Sequence, residues 1–361
     1  MQQNDLTVNT LPAPTWNRLK LNNTIVRGLP AAEGLLEPET DLKGNVHLYK
    51  LSSPCSCGCE GDPDFASIPT GMGPELARLG TPSTLCIVAG AGQASAALTF
   101  RYSDGLNAYN KIEIEACEDA ELTVFMTYLA PVAASGMSAV EAKILAGTNA
   151  KVKLVQVQML GRSFTHLNNV GASLGEHATL ETVQLELGAK AIYNGVRSEL
   201  LGAGSAFDAA IAYYGRRRQH LDLNFIANHY GKNTSCVMTA DGVLKDGASK
   251  IYRGTIDFKF GSSGAVGTED ESVLMLSDDV VNQSVPLILC SEEDVQGNHG
   301  ASIGKLDEDL LFYLMSRGFT EAEATAMLAK AKIDRLCRRI EAEPIVAMVE
   351  NYLEEVIANG E

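Results

Sequence analysis

From about residue 84 onward the chain is written in short runs that alternate apolar and polar residues, and this repetition restricts its fold more than any other feature. Examples are Leu98-Thr99-Phe100-Arg101-Tyr102, Lys111-Ile112-Glu113-Ile114-Glu115, Glu121 to Met126, Lys151 to Val157 and Leu180 to Leu187. Others follow at Phe207 to Tyr213, His220 to Ala227, Ser235 to Thr239 and Ile251 to Phe258. A period of two marks a strand with one buried face. The turns between the runs are alike. Gly147-Thr148-Asn149-Ala150 precedes one run, and Gly175-Glu176-His177-Ala178 precedes the next, 175 − 147 = 28 residues later. Many short strands on a loose repeat, with no long helix between them, fit a solenoid or a sandwich. Solenoid coils tolerate insertions at their corners, which suits an irregular period. Periodicity alone leaves both architectures open.

The flanks read differently. Residues 1–83 hold Pro and Gly breakers, a short helical run Thr15 to Leu21, and a strand-like Val46-His47-Leu48-Tyr49. The reading is a partly helical or irregular lead-in over 1–83, a β core over 84–306 and a helical module over 307–361. In that module Asp307 caps a helix from Glu308 to Arg317 that Gly318 ends. Thr320-Glu321-Ala322-Glu323 is a capping box for a second helix through about Arg339. Met327, Leu328, Ala331 and Leu336 supply its apolar stripe. Pro344 suits the first turn of a third helix, with Ile345, Met348, Val349, Tyr352, Leu353 and Val356 on one face.

Composition removes several function classes. A net charge of -16 disfavours nucleic-acid phosphates. No apolar run reaches 18 residues, and the stretch MQQNDLTVNTLPAP has neither a basic start nor an apolar core, so the expected location is the cytosol. There the eight cysteines are expected as thiols or metal ligands. No G-x-x-x-x-G-K-[ST] and no G-x-S-x-G is present. Gly90-Ala91-Gly92-Gln93-Ala94-Ser95 lacks the third glycine of a dinucleotide fingerprint and precedes a strand pattern, so it reads as a turn.

The candidate chemistry centres on His299, between Asn298 and Gly300 in an acidic, Gly-rich stretch read as a turn. Neutral imidazole binds iron and zinc. Glu292, Glu293 and Asp294 are candidates to orient it. Cys290 is a second candidate ligand, with a core role as the alternative. Cys236 reads as a coil-interior residue, and His220 and His229 as structural histidines. Cys55-Ser56-Cys57-Gly58-Cys59 is dense enough for Cys55, Cys57 and Cys59 to share a soft metal or handle sulfur. Its spacing is not that of a zinc ribbon, and incidental thiols in a loop are the alternative.

Residues 292–318, EEDVQGNHGASIGKLDEDLLFYLMSRG, resemble the C-terminal core signature of the SufB/SufD family of iron–sulfur cluster assembly scaffolds. The resemblance runs through "DV…HGAS.G..DED.LFYL.SRG", extends over about 220–318, and is looser through 84–219. It implies a right-handed parallel β-helix. It also implies a non-catalytic scaffold that pairs its solenoid edge with a SufB-like subunit and docks a SufC-like ATPase on the helical module. Leu311, Phe312, Tyr313, Leu314, Met327 and Leu328 are expected to form the core or ATPase-facing surface of that module. A cysteine desulfurase is implied indirectly. No tightly bound cofactor is implied, only a transient iron–sulfur cluster or iron at the interface. His299 matches the histidine that SufD-type members carry near the cluster-building site. The SufB pattern C-D-S-x-L-x-G-D-x-C-G-A-x-T-x-P, set on Pro286, places its two cysteines at Glu271 and Val280. The glutamate that follows the histidine in SufB is Gly300 here, and the cysteine that some SufD members carry two residues before it is Gly297. The departures from SufB imply a SufD-like subunit, whereas Gly297 argues against a thiol contribution from this turn. The alternatives are a SufB-like homodimeric scaffold and a β-helix carbohydrate-active enzyme, the latter needing paired carboxylates in a cleft.

Overall fold

A computed structural model describes residues 4–51 and 64–358. The chain opens with β1 (Asn4–Val8) and β2 (Thr24–Leu29), an antiparallel pair. β3 (Glu39–Leu51) then runs antiparallel along β4 (Thr84–Arg101). Next come β5 (Asn107–Ala116) and β6 (Ala120–Leu129), β7 (Ser135–Ala146) and β8 (Lys151–Met159), then β9 (Ser163–Leu174) and β10 (Thr179–Glu186). They are followed by β11 (Ala191–Leu200) and β12 (Ala206–Gly215), then β13 (His220–His229) and β14 (Ser235–Leu244). The last coils are β15 (Ser249–Phe258) with β16 (Ala265–Met275), and β17 (Val281–Cys290) with β18 (Val295–Gly304). Every strand from β5 to β16 pairs in parallel with the strand two further on, giving a β-solenoid of about eight turns. Its first wall is β5, β7 and so on to β17. Its second wall is β6, β8 and so on to β18, and β4 joins both.

The loose repeat seen in the sequence is the coil length. Glu121 pairs with Lys151, 30 residues on; Lys151 pairs with Thr179, 28 on; Thr179 pairs with Ala206, 27 on. At one corner of successive coils Asp119, Asn149, His177, Gly204, Asn233 and Gly264 all have φ between 55° and 77°. Asp, Asn and His tolerate this left-handed conformation better than other non-glycine residues. Each donates its backbone N–H to a carbonyl in the next coil, as Asn149 does to Glu176 at 2.8 Å. Gly147 and Gly175, noted in the sequence, have another purpose: a Cβ on Gly147 would lie 3.0 Å from the Glu118 nitrogen.

The main core lies between the walls. It also holds an amide ladder. Gln156 and Asn168 exchange hydrogen bonds of 2.9 Å, Gln184 donates to Gln156 at 2.7 Å, and Asn194 donates to Gln184 and Glu186 at 3.1 and 3.2 Å. Buried amides need such partners, and here they lock one wall to the other. Burial pushes the Glu186 carboxyl up to about 8.

Residues 4–51 and 64–83 are more regular than the expected lead-in, and the Val46–Tyr49 strand is part of the long β3. The Thr15 to Leu21 helix is reduced to a single 3-10 turn, Asn17–Leu19. Leu6, Val8, Val26, Leu29, Met72, Leu76 and Leu79 cover the outer face of the first wall at Tyr109, Met137, Ala139 and Leu167. This strap is pinned by a buried ion pair between Arg253 and Asp222, their side chains 1% and 0% exposed. Asn9 donates to Asp222 at 2.8 Å, and Arg253 donates to the Leu21 carbonyl at 2.8 Å and the Thr24 hydroxyl at 3.2 Å.

The helical module consists of α1 (Glu308–Ser316), α2 (Glu321–Cys337) and α3 (Glu343–Ala358). Asp307 caps α1 and the Thr320–Glu323 capping box opens α2, as expected. The buried stripe of α2 is Ala324, Ala329, Ile333, Leu336 and Cys337; Met327 and Ala331 face solvent. The expected stripe was rotated because the docking surface was unknown. α2 and α3 share one apolar core with Val155, Val157, Val183, Leu185, Ala210 and Val243 on the outer face of the second wall. Arg339 bonds Glu181 and Asp208 across this seam. Among the described residues no helix is long and apolar enough to cross a membrane.

Candidate functional site at the terminal coil

β17 and β18 end the two walls, and among the described residues neither pairs with a further strand. Unpaired strand edges of ten residues each are templates for another chain unless they are covered. Pro286 sits on β17, where an edge strand tolerates the missing N–H.

His299 does not lie in a turn. It is in the middle of β18, opposite Glu269 of β16, and is exposed. The turn is shorter than expected, Ser291–Asp294. Its acids are engaged elsewhere: Glu292 accepts from the Gly261 nitrogen at 2.9 Å and Asp294 from the Ser263 hydroxyl at 2.7 Å. Cys290 closes β17, is exposed, and donates its thiol to the Glu292 carbonyl at 3.0 Å. Cys290 and His299 therefore share the terminal coil. Among the described residues, no group of three or more His, Cys, Asp or Glu is placed to hold a metal ion.

In-register neighbours on parallel strands project to the same face. His299 therefore takes the lumen-side position above buried Glu269, and Ala301 takes that above buried Glu271. The lumen just inside the terminal coil holds an ionic cluster that periodicity concealed. Lys250 of β15 pairs with Glu271 across the walls, with side chains 0% and 1% exposed. Lys250 also donates to the Gln283 carbonyl at 3.0 Å, and Ser284 donates to the second oxygen of Glu271. Glu269 is raised to about 8 by burial, with Glu271 and Asp270 adding repulsion. Burial pushes Lys250 down, against the pull of Glu271. The only sequence signal was Glu269 and Glu271 two residues apart in a strand with apolar neighbours at the same parity, Ala265 and Val273. Asp270 is exposed, and its carboxylate fills the space beside Gly300, 2.6 Å from where a Cβ would be.

One layer deeper, His229 Nδ1 is 2.8 Å from the Thr234 hydroxyl, which itself donates to the Gly231 carbonyl. The hydroxyl oxygen must then accept from Nδ1–H, so bare Nε2 accepts the Cys236 thiol at 3.3 Å. Burial raises Cys236 to about 12 and lowers His229 to about 4. Both stay neutral, so the structural reading of these residues stands. His220 likewise bonds Ser249 at 2.9 Å.

Of the expected docking residues, Leu314 is buried, Leu311 and Leu328 are half-buried, and Met327 is exposed. Phe312 is 74% exposed and Tyr313 51%. Leu310, Met315 and Phe319, on and beside α1, are exposed as well, and among the described residues α1 packs chiefly against α2. Cys55, Cys57 and Cys59 lie outside the described residues. Among the described cysteines, Cys86, Cys236, Cys290 and Cys337 are free thiols, as expected.

Comparison with known proteins agrees with this architecture. Residues 100–332, well over half of the chain, match the family model described as SUF system FeS cluster assembly, SufBD core domain. The iron-sulfur cluster assembly protein SufD of Bacillus subtilis is 28% identical over 222 residues, covering 61% of this chain and 51% of that protein. A SufBD family protein of Staphylococcus saprophyticus is 25% identical over 247 residues, 68% of this chain and 53% of its own length. A Staphylococcus aureus counterpart is 26% identical over the same length, with the same coverage. The chain thus spans about half the length of these relatives. On the match over its solenoid and first helices, the chain belongs to the SufB/SufD family of iron–sulfur cluster assembly proteins.

Proposed function

We propose that this chain is a SufD-like scaffold subunit of a Suf-type assembly complex. Its terminal edge pairs with a SufB-like subunit, and His299 contributes an imidazole where iron or a nascent cluster is held at that junction. The observation that carries this reading is the placement of His299, exposed in the middle of a strand whose edge is unpaired. The resemblance to SufB puts its essential thiol at Glu271. That side chain is 1% exposed and tied to Lys250 and Ser284, a setting suited to structure rather than to accepting sulfur. This favours the SufD-like role. The exposed Cys290 on the same coil favours the second reading, a SufB-like homodimer in which that thiol substitutes.

A SufC-like ATPase would dock on the face of α1 that carries Phe312 and Tyr313. Several large apolar side chains left exposed on one short helix suit a partner. Motion of the ATPase would reach the terminal coil through Lys305, Leu306 and Asp307, the short link between β18 and α1. The chain itself would perform no chemical step; the cluster is cargo. Co-expression with a SufB-like subunit and a SufC-like ATPase, followed by purification on a tag carried by this chain, tests the assignment. Recovery of a three-protein complex is the expected result. A homodimer that ignores the SufB-like subunit would select the second reading, and a monomer that binds neither would refute both.

A further inference from the structure

One oxygen of the buried carboxylate beneath His299 has no hydrogen-bond partner among the described residues. Glu269 is 2% exposed, and its Oε2 accepts no hydrogen bond among the described residues. Native interiors rarely leave such an atom orphaned. Its neighbour Glu271 differs: Lys250 engages one oxygen and Ser284 the other. The end of the lumen therefore keeps one acceptor in reserve. That acceptor belongs to the in-register neighbour of His299, whose imidazole has no hydrogen bond among the described residues. Adjacent strands lie about 4.8 Å apart, within reach of a hydrogen bond after one side-chain rotation. The space around the carboxylate is shaped by an absent side chain. Gly254 faces Glu269 from the other wall, and a Cβ there would sit 2.2 Å from Oε1.

We propose that Glu269 is a positioning residue for His299. Its free oxygen accepts one imidazole N–H, which fixes the tautomer and turns the other nitrogen out of the open end toward iron(II). A histidine that ligates a metal ordinarily gives its second N–H to a carboxylate or carbonyl. A carboxyl group accepts through one oxygen whether or not it carries a proton. The proposal rests on the reading of His299 as a ligand and adds the group that aims it.

The test is a double-mutant cycle on iron(II) affinity, measured by competition with a chromophoric chelator on the full chain assembled with its partner subunits. Glu269→Met removes a buried carboxyl whose Oε2 has no hydrogen bond among the described residues and keeps a similar volume, so the fold should persist. It should weaken iron(II) binding about ten- to hundredfold. Glu269→Gln keeps an acceptor oxygen and should bind nearly as the parent does. A double variant with His299→Ala should bind no more weakly than His299→Ala alone, because Glu269 acts through His299. Unchanged affinity in Glu269→Met, or additive losses, would overturn the proposal while leaving the ligand reading intact. Unchanged affinity in His299→Ala would overturn both. If Glu269→Met does not fold, Glu269→Asp carries the same test: one methylene shorter, it withdraws the oxygen, and parent-like binding would refute the proposal.

Discussion

Replacing Arg253 by Met should release the N-terminal strap while leaving the solenoid folded. The guanidinium is 1% exposed and is bonded to Asp222, the Thr24 hydroxyl and the Leu21 carbonyl. Without it Asp222, fully buried, keeps Asn9 and Thr24 as its side-chain hydrogen-bond donors among the described residues. Breaking one side of a buried pair costs about 3–5 kcal/mol, chiefly because the remaining charge is uncompensated. Two of the three groups that Arg253 holds belong to the strap, so the loss falls on strap docking. At about 1.4 kcal/mol per tenfold, strap opening should rise by roughly two to three and a half orders of magnitude. Hydrogen exchange followed by mass spectrometry should show lost protection in β1 and β2, with amides of β9 to β13 retained. Adding Asp222→Asn should restore most of the protection, since removing both partners leaves no buried charge. A loss under about 1 kcal/mol, or exchange rising evenly through the solenoid, would refute the pinning argument.

Other expected outcomes follow from the same structure. Glu186 holds its proton in the fold up to about 8, and the unfolded chain releases it in the ordinary carboxylate range. Between those values the folded state binds more protons, so this group subtracts stability as pH rises. Glu186→Gln should therefore raise the melting temperature more at pH 8.5 than at pH 5; an equal change at both would contradict the assignment. Ile333→Ala, in the core shared by α2 and the second wall, should cost about 2–5 kcal/mol in chemical denaturation. A near-neutral result would mean the module docks elsewhere. Phe312→Ser on the exposed face of α1 should change stability by no more than about 0.5 kcal/mol yet abolish capture of a SufC-like ATPase. Normal capture would move the docking surface off α1.

The strands read in advance were chiefly those with one polar face. β6, β8 and β10 in the second wall alternate cleanly at their starts. β7, β9 and β11 went unread because the strap covers the outer face of the first wall while Ser138, His166, Asn168 and Asn194 face the lumen. Apolar residues outside and amides inside erase the expected alternation. The strap itself was hidden by its Pro and Gly content; its order comes from long-range partners such as Asp222, more than 200 residues from Asn9. Helix caps were legible because they are local. The site was half legible. His299 stood out by motif, but its strand setting depends on register with β16. Glu269, Glu271 and Lys250 gather only when coils stack, and no local spacing announces that.

The central claim is that the terminal coil, through His299, is where iron or a cluster is held. The most direct measurement is iron and acid-labile sulfide bound after reconstitution of the complex, comparing the parent chain with His299→Ala. The side chain is exposed and makes no hydrogen bond among the described residues, so its removal should alter stability by no more than about 0.5 kcal/mol. The account predicts an intact complex with cluster content reduced to a small fraction of the parent's. An intact His299→Ala complex that assembles clusters at the parental level would contradict it.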